Sequence, residues 1–164
     1  MNQRVVALCI CLLIAARVTA AIAAESPDVP CLPGHASRIA SFQALPAPIP
    51  IEMLGRFAPG VPPATLAMSA DSLIAERDGA WQVTDVATPG ARLPGRRFIL
   101  GFRAADRVWA WYESGGIAHM FHVVVFEPGG GQPWRVSRHL ADGSIATLCT
   151  RLETAATSVY DQFW

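Results

Sequence analysis

Between Arg97 and Glu127, apolar runs rich in aromatic and β-branched residues are separated by short polar or glycine segments, and this stretch predicts three consecutive antiparallel strands joined by two turns. The first turn is predicted as a four-residue loop, Arg103 to Asp106. The second is predicted as a two-residue hairpin loop at Gly115-Gly116, because glycine tolerates positive φ at both positions. The rest of the chain is expected to cover, extend or crosslink this sheet.

The two predicted turns assign the strand side chains to two faces, since successive side chains point to opposite sides. They place Tyr112 opposite His119, and Trp109 opposite His122. The expected core face comprises Phe98, Leu100, Phe102, Trp109, Trp111, Met120, His122, Val124 and Phe126. The other face comprises Arg97, Ile99, Gly101, Val108, Ala110, Tyr112, His119, Phe121, Val123 and Val125. It is less bulky but still apolar, so we expect it to be partly covered as well.

The start of the chain has the layout of a secretory signal peptide, predicted over residues 1–23. A basic start, Met1 to Arg4, precedes an apolar run from Val5 to Ala16, and small residues then suit cleavage after Ala20 or Ala23. The run is short for a membrane span, although an uncleaved anchor is the alternative. We therefore expect a periplasmic or secreted protein that touches a membrane only through this segment.

Two cysteines, Cys31 and Cys149, follow the signal segment. An even number of cysteines in an exported chain favours a disulfide over a free thiol. The bond would tie the N-terminal arm to the last predicted strand. A redox role would favour closely spaced cysteines, which this pair is not.

Residues 24–63 are rich in proline and alanine and hold nine of the 13 prolines. Such a run predicts an extended arm and argues against a helix of any length or a central strand. A disordered linker is the alternative. Large apolar residues would anchor the arm to the sheet: Ile39, Phe42, Leu45, Ile49, Ile51, Met53, Leu54 and Phe57. Residues 64–164 are predicted to form an antiparallel β-rich domain.

Residues 64–79 predict either a short helix over Leu73 to Arg77 or a hairpin turned at Asp78-Gly79. The strand-forming residues that follow favour the hairpin slightly. A second hairpin is predicted around Asp142-Gly143, from Trp134–Leu140 into Ser144–Arg151.

Apolar residues at helical spacing between Glu153 and Trp164 indicate a short C-terminal helix. The predicted fold class is therefore mainly β or α+β, with a curled antiparallel meander of about five strands at its centre.

The chain carries 13 basic and 13 acidic residues, and every basic one is arginine. Removing Arg4 and Arg17 with the signal segment leaves 11 against 13, a net charge near −2. The sequence shows no basic stripe, so a nucleic-acid partner is not expected. The loop predicted from Pro128 to Pro133 lacks the Lys and Ser/Thr that complete a phosphate-binding motif, and no cofactor is expected.

Candidate chemistry gathers at the predicted Gly115-Gly116 turn. His119 and His122 would point to opposite faces of a strand and could not share one ion, so no metal site is expected. Tyr112, Glu113 and Ser114 lie beside His119, but no strained nucleophile turn or oxyanion hole accompanies them, so no catalytic residue is predicted.

Basic residues could also converge at one end of the sheet and hold a carboxylate or phosphate. These residues are Arg96, Arg97, Arg135, Arg138, His139 and Arg151. The alternative is a solvated strand face whose arginines are balanced by nearby acids.

The leading functional hypothesis is an exported binding or interaction module whose protein or small-molecule partner the sequence does not identify. Its contact surface would comprise Arg97, Tyr112, Glu113 and His119, an amphipathic mix suited to recognition. The alternatives are a small periplasmic hydrolase that uses the Tyr112–His119 end of the sheet, and a structural protein of the cell envelope. The rival at this face is that the arm simply covers it.

Overall fold

The structure, a computed structural model, describes residues 28–29, 31, 34–85 and 92–154. Its centre is a five-stranded antiparallel sheet in which each strand pairs with the next along the chain. The strands are β1 (Ser37–Ile39), β2 (Arg96–Ala104), β3 (Arg107–Ser114), β4 (Met120–Gly129) and β5 (Gln132–Asp142). The predicted fold class and five-stranded meander are confirmed.

The signal segment and residues 155–164 of the predicted terminal helix lie outside the described residues. Within the described ranges, no helix has both the length and the apolar character needed to cross a bilayer. The predicted division of the chain after residue 63 stays a prediction.

The turn between β2 and β3 is tighter than predicted. Ala104 pairs with Arg107, which leaves a two-residue turn at Ala105-Asp106 with Ala105 at φ +50°. The predicted four-residue loop is therefore wrong. A bulge between Phe98 and Leu100 adds a residue to β2, so that Ile99 and Leu100 contribute to the same hydrophobic cluster.

The turn between β3 and β4 is longer than predicted. Ser114 pairs with Met120, so residues 115–119 form a five-residue loop and the predicted two-residue Gly115-Gly116 turn is wrong. Tyr112 consequently lies opposite His122 rather than His119. The register of β4 is therefore shifted by three residues, and a shift by an odd number exchanges the two faces of a strand. The β4 residues predicted for one face of the sheet consequently lie on the other face.

The Pro-rich segment contains a helix, contrary to prediction. Helix α1 spans Ile49–Phe57, followed by α2 (Pro63–Met68) and α3 (Ala70–Leu73). Prolines occupy the first turns of α1 and α2, where proline removes no intrahelical hydrogen bond. Most of the predicted anchors are buried: Phe42, Leu45, Ile49, Met53, Leu54 and Phe57.

The favoured hairpin at Asp78-Gly79 is also wrong. After α3 the chain forms a single parallel bridge, between Ala75 and Arg97 of β2. Residues 81–85 are then neither helix nor strand.

A helix, α4 (Ile145–Thr154), replaces the predicted second hairpin. The Asp142 carboxylate accepts a hydrogen bond from the Ser144 backbone N–H at 3.2 Å, and the Ser144 carbonyl accepts one from Leu148. Asp142-Gly143 therefore leads into a helix rather than into a returning strand. The predicted Cys31–Cys149 disulfide is confirmed, although Cys149 belongs to α4 and not to a strand.

Both faces of the sheet are covered. We call the side packed against residues 42–74 the arm face, and the side packed against α4 the α4 face. Buried sheet residues on the arm face are Phe98, Val108, Ala110, Tyr112, Val124 and Phe126. Those on the α4 face are Ile99, Leu100, Phe102, Trp111, Val123 and Leu140. Trp109 packs at the α4 face with Leu100 and Trp111, whereas the predicted grouping of Phe98 and Val124 with them is wrong.

Candidate functional site

Two clusters of polar side chains lie at the same end of the sheet, one on each face. The end is formed by the start of β2, the end of β3, the start of β4 and the end of β5. Cross-strand pairing places Arg97 beside Glu113 on the α4 face, and Arg96 beside Ser114 on the arm face. Both clusters depend on the observed register, because residues adjacent along a strand point to opposite sides.

The α4-face cluster is built on a buried ion pair. The Arg97 Nε and Nη2 atoms both contact Oε1 of Glu113 at 2.5 Å, and the side chains are only 4% and 2% exposed. The Arg97 guanidinium also lies over the ring of Trp81, 5.1 Å from its centroid. Removing two charges from water costs several kcal/mol per ion, so such a pair is maintained only where its geometry is good.

The buried pair holds an exposed histidine. Glu113 Oε2 accepts a hydrogen bond from Nε2 of His119 at 2.7 Å, while the His119 side chain is 40% exposed. A carboxylate can only accept, so Nε2 carries a proton, and in the neutral imidazole Nδ1 is the acceptor. The rings of Phe121 and Trp81 flank the imidazole, with centroids 4.9 and 5.7 Å away.

The loop that carries His119 is fixed to a neighbouring segment. The Gly115 N–H donates to the Gly95 carbonyl at 2.9 Å, and the Gly116 N–H donates to the Val83 carbonyl at 3.2 Å. A Cβ at Gly115 would lie 2.1 Å from the Gln82 carbonyl oxygen, so this close approach requires glycine. At the tip, Ile117 is 97% exposed.

The arm-face cluster is a series of hydrogen bonds that links the half-buried Ser114 to buried side chains. Ser114 Oγ lies 2.9 Å from His122 Nε2, and His122 Nδ1 lies 3.2 Å from His139 Nε2. The Tyr112 hydroxyl is 3.4 Å from the same His139 nitrogen. The Tyr112 and His122 rings are stacked, with centroids 4.4 Å apart.

Burial determines the protonation states of His122 and Tyr112 in this cluster. It lowers the pKa of His122 to about 3, with further lowering by His139 and by Arg96. Burial also raises the pKa of Tyr112, so the phenol stays protonated, while the nearby Arg96 acts in the opposite sense. Both His122 and Tyr112 are therefore neutral at pH 7.

The contact of Ser114 with His122 has the form of a nucleophile and base, but its electrostatics oppose that chemistry. A general base works best when its pKa lies near the working pH. An imidazole with a pKa of about 3, beside a guanidinium rather than a carboxylate, takes up a proton poorly. The arrangement is better suited to donating and accepting hydrogen bonds than to proton abstraction.

Three of the four sequence-predicted site residues come together in the structure. Arg97, Glu113 and His119 form the α4-face cluster. Tyr112 does not join them, because it lies on the arm face, buried against the ring of Phe57. The predicted cross-strand pairing of Tyr112 with His119 is wrong.

The predicted convergence of basic residues is also absent among the described residues. Arg135 pairs with Glu127, at the opposite end of the sheet, and Arg151 pairs with Asp142. Arg138 donates to the Leu152 carbonyl. His139 points to the arm face, away from Arg97.

The sequence interpretation missed the partners of His122. It expected this histidine beneath Trp109 and Trp111, whereas the structure places it between Ser114, Tyr112 and His139. Only the pairing of β4 with β5, which sets Val124 opposite His139, brings the two imidazoles together. The polar residues at alternate positions Tyr112 and Ser114 were the one local signal that this face is polar at its end.

A surface cleft of about 330 Å³ lies elsewhere, between α1 and α2. Its lining is largely apolar, with the exposed Glu52–Arg56 ion pair at 3.3 Å. It contains no buried polar group that would fix the orientation of a ligand. Among the described residues, no group of three or more potential ligand side chains could hold a metal ion.

Comparison with known protein families, with curated proteins and with solved structures finds no match for this chain.

Proposed function

We propose that this protein is an exported, non-enzymatic interaction module that binds a partner protein through the loop formed by residues 115–119. The observation that carries the proposal is the near-complete exposure of Ile117 at the tip of a loop held by two backbone hydrogen bonds. Burying an isoleucine side chain contributes roughly 1.5–3 kcal/mol. A loop that is already ordered loses little conformational entropy on binding.

The neighbouring residues supply a hydrogen-bonding group beside this apolar tip. Glu113 fixes the His119 ring through Nε2 and leaves its Nδ1 atom to hydrogen-bond a partner. Val83, which is exposed, belongs to the segment that anchors the loop. An apolar anchor with an oriented polar atom at its side is typical of interface contacts.

The shape of the loop favours a protein partner over a small molecule. Small molecules bind in concave sites that enclose most of their surface. Ile117 instead projects from the end of the sheet, where a partner's pocket could receive it. The Cys31–Cys149 disulfide is compatible with an oxidising compartment, in agreement with the predicted signal peptide.

The test is site-specific photocrosslinking in cells that produce the full chain. A photoreactive phenylalanine analogue replaces Ile117, and in a matched control it replaces Met68, another highly exposed apolar residue on α2. We expect one discrete adduct from position 117 and none of that mass from position 68. Adducts that are absent, or the same at both positions, would overturn the proposal.

A second step measures affinity with the purified partner found in the adduct. Ile117→Ser and His119→Ala should each raise Kd by about tenfold, which corresponds to ~1.4 kcal/mol. Met68→Ser should leave Kd unchanged. If Ile117→Ser binds as tightly as the unmodified protein, the loop is not the contact surface. Recovery of the processed chain outside the cytoplasm would separately establish export.

A further inference from the structure

The arm face of the same sheet end carries an arginine that has no acidic partner among the described residues. Arg96 is half-buried, and its guanidinium lies over the ring of Phe57, 4.5 Å from the centroid. Its Nε atom is buried without a hydrogen-bond partner. Leaving a buried donor unsatisfied is costly, and a bound ion or water is one of the partners that such a group takes in native proteins.

Ser114 stands beside this arginine. The two residues are direct cross-strand partners at the ends of β2 and β3, so their side chains project from the same face. Both residues are half-buried, so each keeps part of its surface exposed to solvent at this end of the sheet. A guanidinium and a hydroxyl on one face are the donor types that bind carboxylate and phosphate oxygens.

We propose that Arg96, Ser114 and His122 form a binding site for a small oxyanion, the carboxylate or phosphate group of a ligand, on the arm face. Arg96 supplies the charge and its unsatisfied Nε–H. Ser114 supplies the second donor. His122 determines whether the serine proton is available to the anion.

The direction of the hydrogen-bond chain follows from this role. If the Ser114 hydroxyl donates to an anion, Ser114 Oγ must accept its hydrogen bond from Nε2–H of His122. His122 Nδ1 is then unprotonated and accepts from Nε2–H of His139. In this arrangement His139, His122 and Ser114 all donate in the direction of the anion, and hydrogen bonds aligned in this way strengthen one another.

Without an anion, the opposite direction is equally compatible with the distances. Ser114 would then donate to His122 Nε2, and His122 Nδ1–H would donate to His139 Nε2. The tautomer of His122 is therefore a readout that anion binding fixes and that a purely structural role would not change. Both states keep His122 neutral, in agreement with its low pKa.

The experiment is an NMR titration of the disulfide-bonded protein at near-neutral pH and constant ionic strength. Phosphate is added in one arm and acetate in the other, while the Arg96 Nε–H and the His122 ring nitrogens are followed. We expect saturable shifts with at least one anion and a His122 ring protonated at Nε2 in the bound state. If phosphate saturates the shifts at the lower concentration, the ligand carries a phosphate group. If acetate does so, the ligand carries a carboxylate.

Matched variants separate this site from general attraction to arginine. Arg96→Gln should raise Kd by about tenfold or more, since one charged hydrogen-bond donor is lost. Arg103→Gln, at an exposed position near the other end of β2, should leave Kd unchanged. If Arg96→Gln does not fold, Ser114→Ala carries the test and should weaken binding several-fold.

Three results would overturn the inference. The first is the absence of saturable binding of either anion. The second is an affinity that Arg96→Gln, or Ser114→Ala in its place, leaves unchanged. The third is a His122 ring protonated at Nδ1 in the anion-bound protein. None of these results bears on the partner contact proposed for the loop at residues 115–119, because His119 belongs to the α4-face cluster and Ile117 lies at the exposed tip of the loop.

Discussion

At the scale of single residues, the buried Arg97–Glu113 pair is the feature that determines where His119 lies. The pair is almost completely removed from water, yet one oxygen of Glu113 is used to hold an exposed imidazole. A buried ion pair is weak support for overall stability, because replacing it with apolar residues is often neutral or favourable. Its value here is positional, since it fixes a polar group beside the exposed loop.

Breaking that pair should be costly. Glu113→Gln keeps the size of the side chain but leaves the buried Arg97 guanidinium without its counter-charge. We expect the free energy of unfolding to fall by about 3–5 kcal/mol, measured by urea denaturation followed through tryptophan fluorescence. The control is Glu127→Gln. The Glu127 carboxylate pairs with the exposed Arg107 at 3.0 Å, and removing this pair should lower the free energy of unfolding by about 1 kcal/mol or less. Equal losses in the two variants would contradict the argument.

The neutral His122 should make stability depend on pH. Its folded pKa is about 3, against 6.5 for the free side chain. Between these values the unfolded chain binds a proton that the folded chain does not, so stability falls as pH decreases below about 6.5. At pH 5 the loss attributable to His122 should be about 2 kcal/mol, on the basis of ~1.4 kcal/mol per pH unit.

The measurement is the free energy of unfolding between pH 5 and pH 7 in the unmodified protein and in His122→Gln. The variant should be less stable overall but should show a shallower dependence on pH, because the group that titrates only in the unfolded chain is gone. His35→Gln, at an exposed position, should retain the full slope. Parallel slopes for all three proteins would show that His122 does not titrate as its burial implies.

At the scale of elements, the loop at residues 115–119 depends on one close backbone approach. Gly115→Ala would place a methyl group 2.1 Å from the Gln82 carbonyl oxygen and 2.8 Å from that of Val83. The segment at residues 81–85 must then move, which should lower stability by roughly 1–3 kcal/mol, as overpacking does elsewhere. Thermal denaturation measures the loss.

Gly95→Ala is the matched control, because Gly95 is hydrogen-bonded to Gly115 but has open space where its Cβ would lie. It should change stability little. In Gly115→Ala the amide resonances of residues 81–85 should shift as well. If both alanine variants are equally stable, the segment is not held against the loop as the structure indicates.

The helices show why the sequence interpretation was incomplete at this scale. In α4, Ile145, Leu148, Cys149 and Leu152 recur at the spacing of one helical face, but Asp142-Gly143 was given more weight as a hairpin signal. In α1, the buried Ile49, Met53 and Phe57 have the same spacing, which the prolines obscured. Local turn chemistry was outweighed in both places by the burial of an apolar helical face.

The strands were predicted well as elements and poorly in register. The type and order of β2, β3 and β4 follow from strand-forming apolar runs and the turn residues between them, which are local properties. Register depends on loop length, and the pair Gly115-Gly116 suggested a loop three residues shorter than the one observed. This error moved Tyr112 into the predicted site, and it concealed the contact of Ser114 with His122. The α4-face group of Arg97, Glu113 and His119 was recovered because all three were placed near the same turn.

At the scale of the whole molecule, one sheet has a hydrophobic cluster of described residues on each of its faces. The arm face is closed by residues 42–74, which come before β2 in the chain, and the α4 face by α4 together with Val29 and Cys31, which come before β1. The Cys31–Cys149 bond joins the two ends of this arrangement across 118 residues. It therefore attaches α4 to the segment that precedes β1, in addition to the packing of Leu148 and Ile145.

Removing this bond should destabilise the protein and should do so unevenly. The double variant Cys31→Ser/Cys149→Ser should lose about 2–5 kcal/mol of unfolding free energy, because a long closed loop no longer restrains the unfolded chain. Hydrogen exchange should show more rapid opening of α4 than of β3, since β3 is hydrogen-bonded on both sides within the sheet whereas α4 is held by side-chain packing and the bridge. Mass spectrometry of the unmodified protein under non-reducing conditions provides the control and should detect no free thiol at either position. Equal stability of the two proteins, or equal loss of protection in α4 and β3, would mean that the bridge does not hold the helix on the sheet.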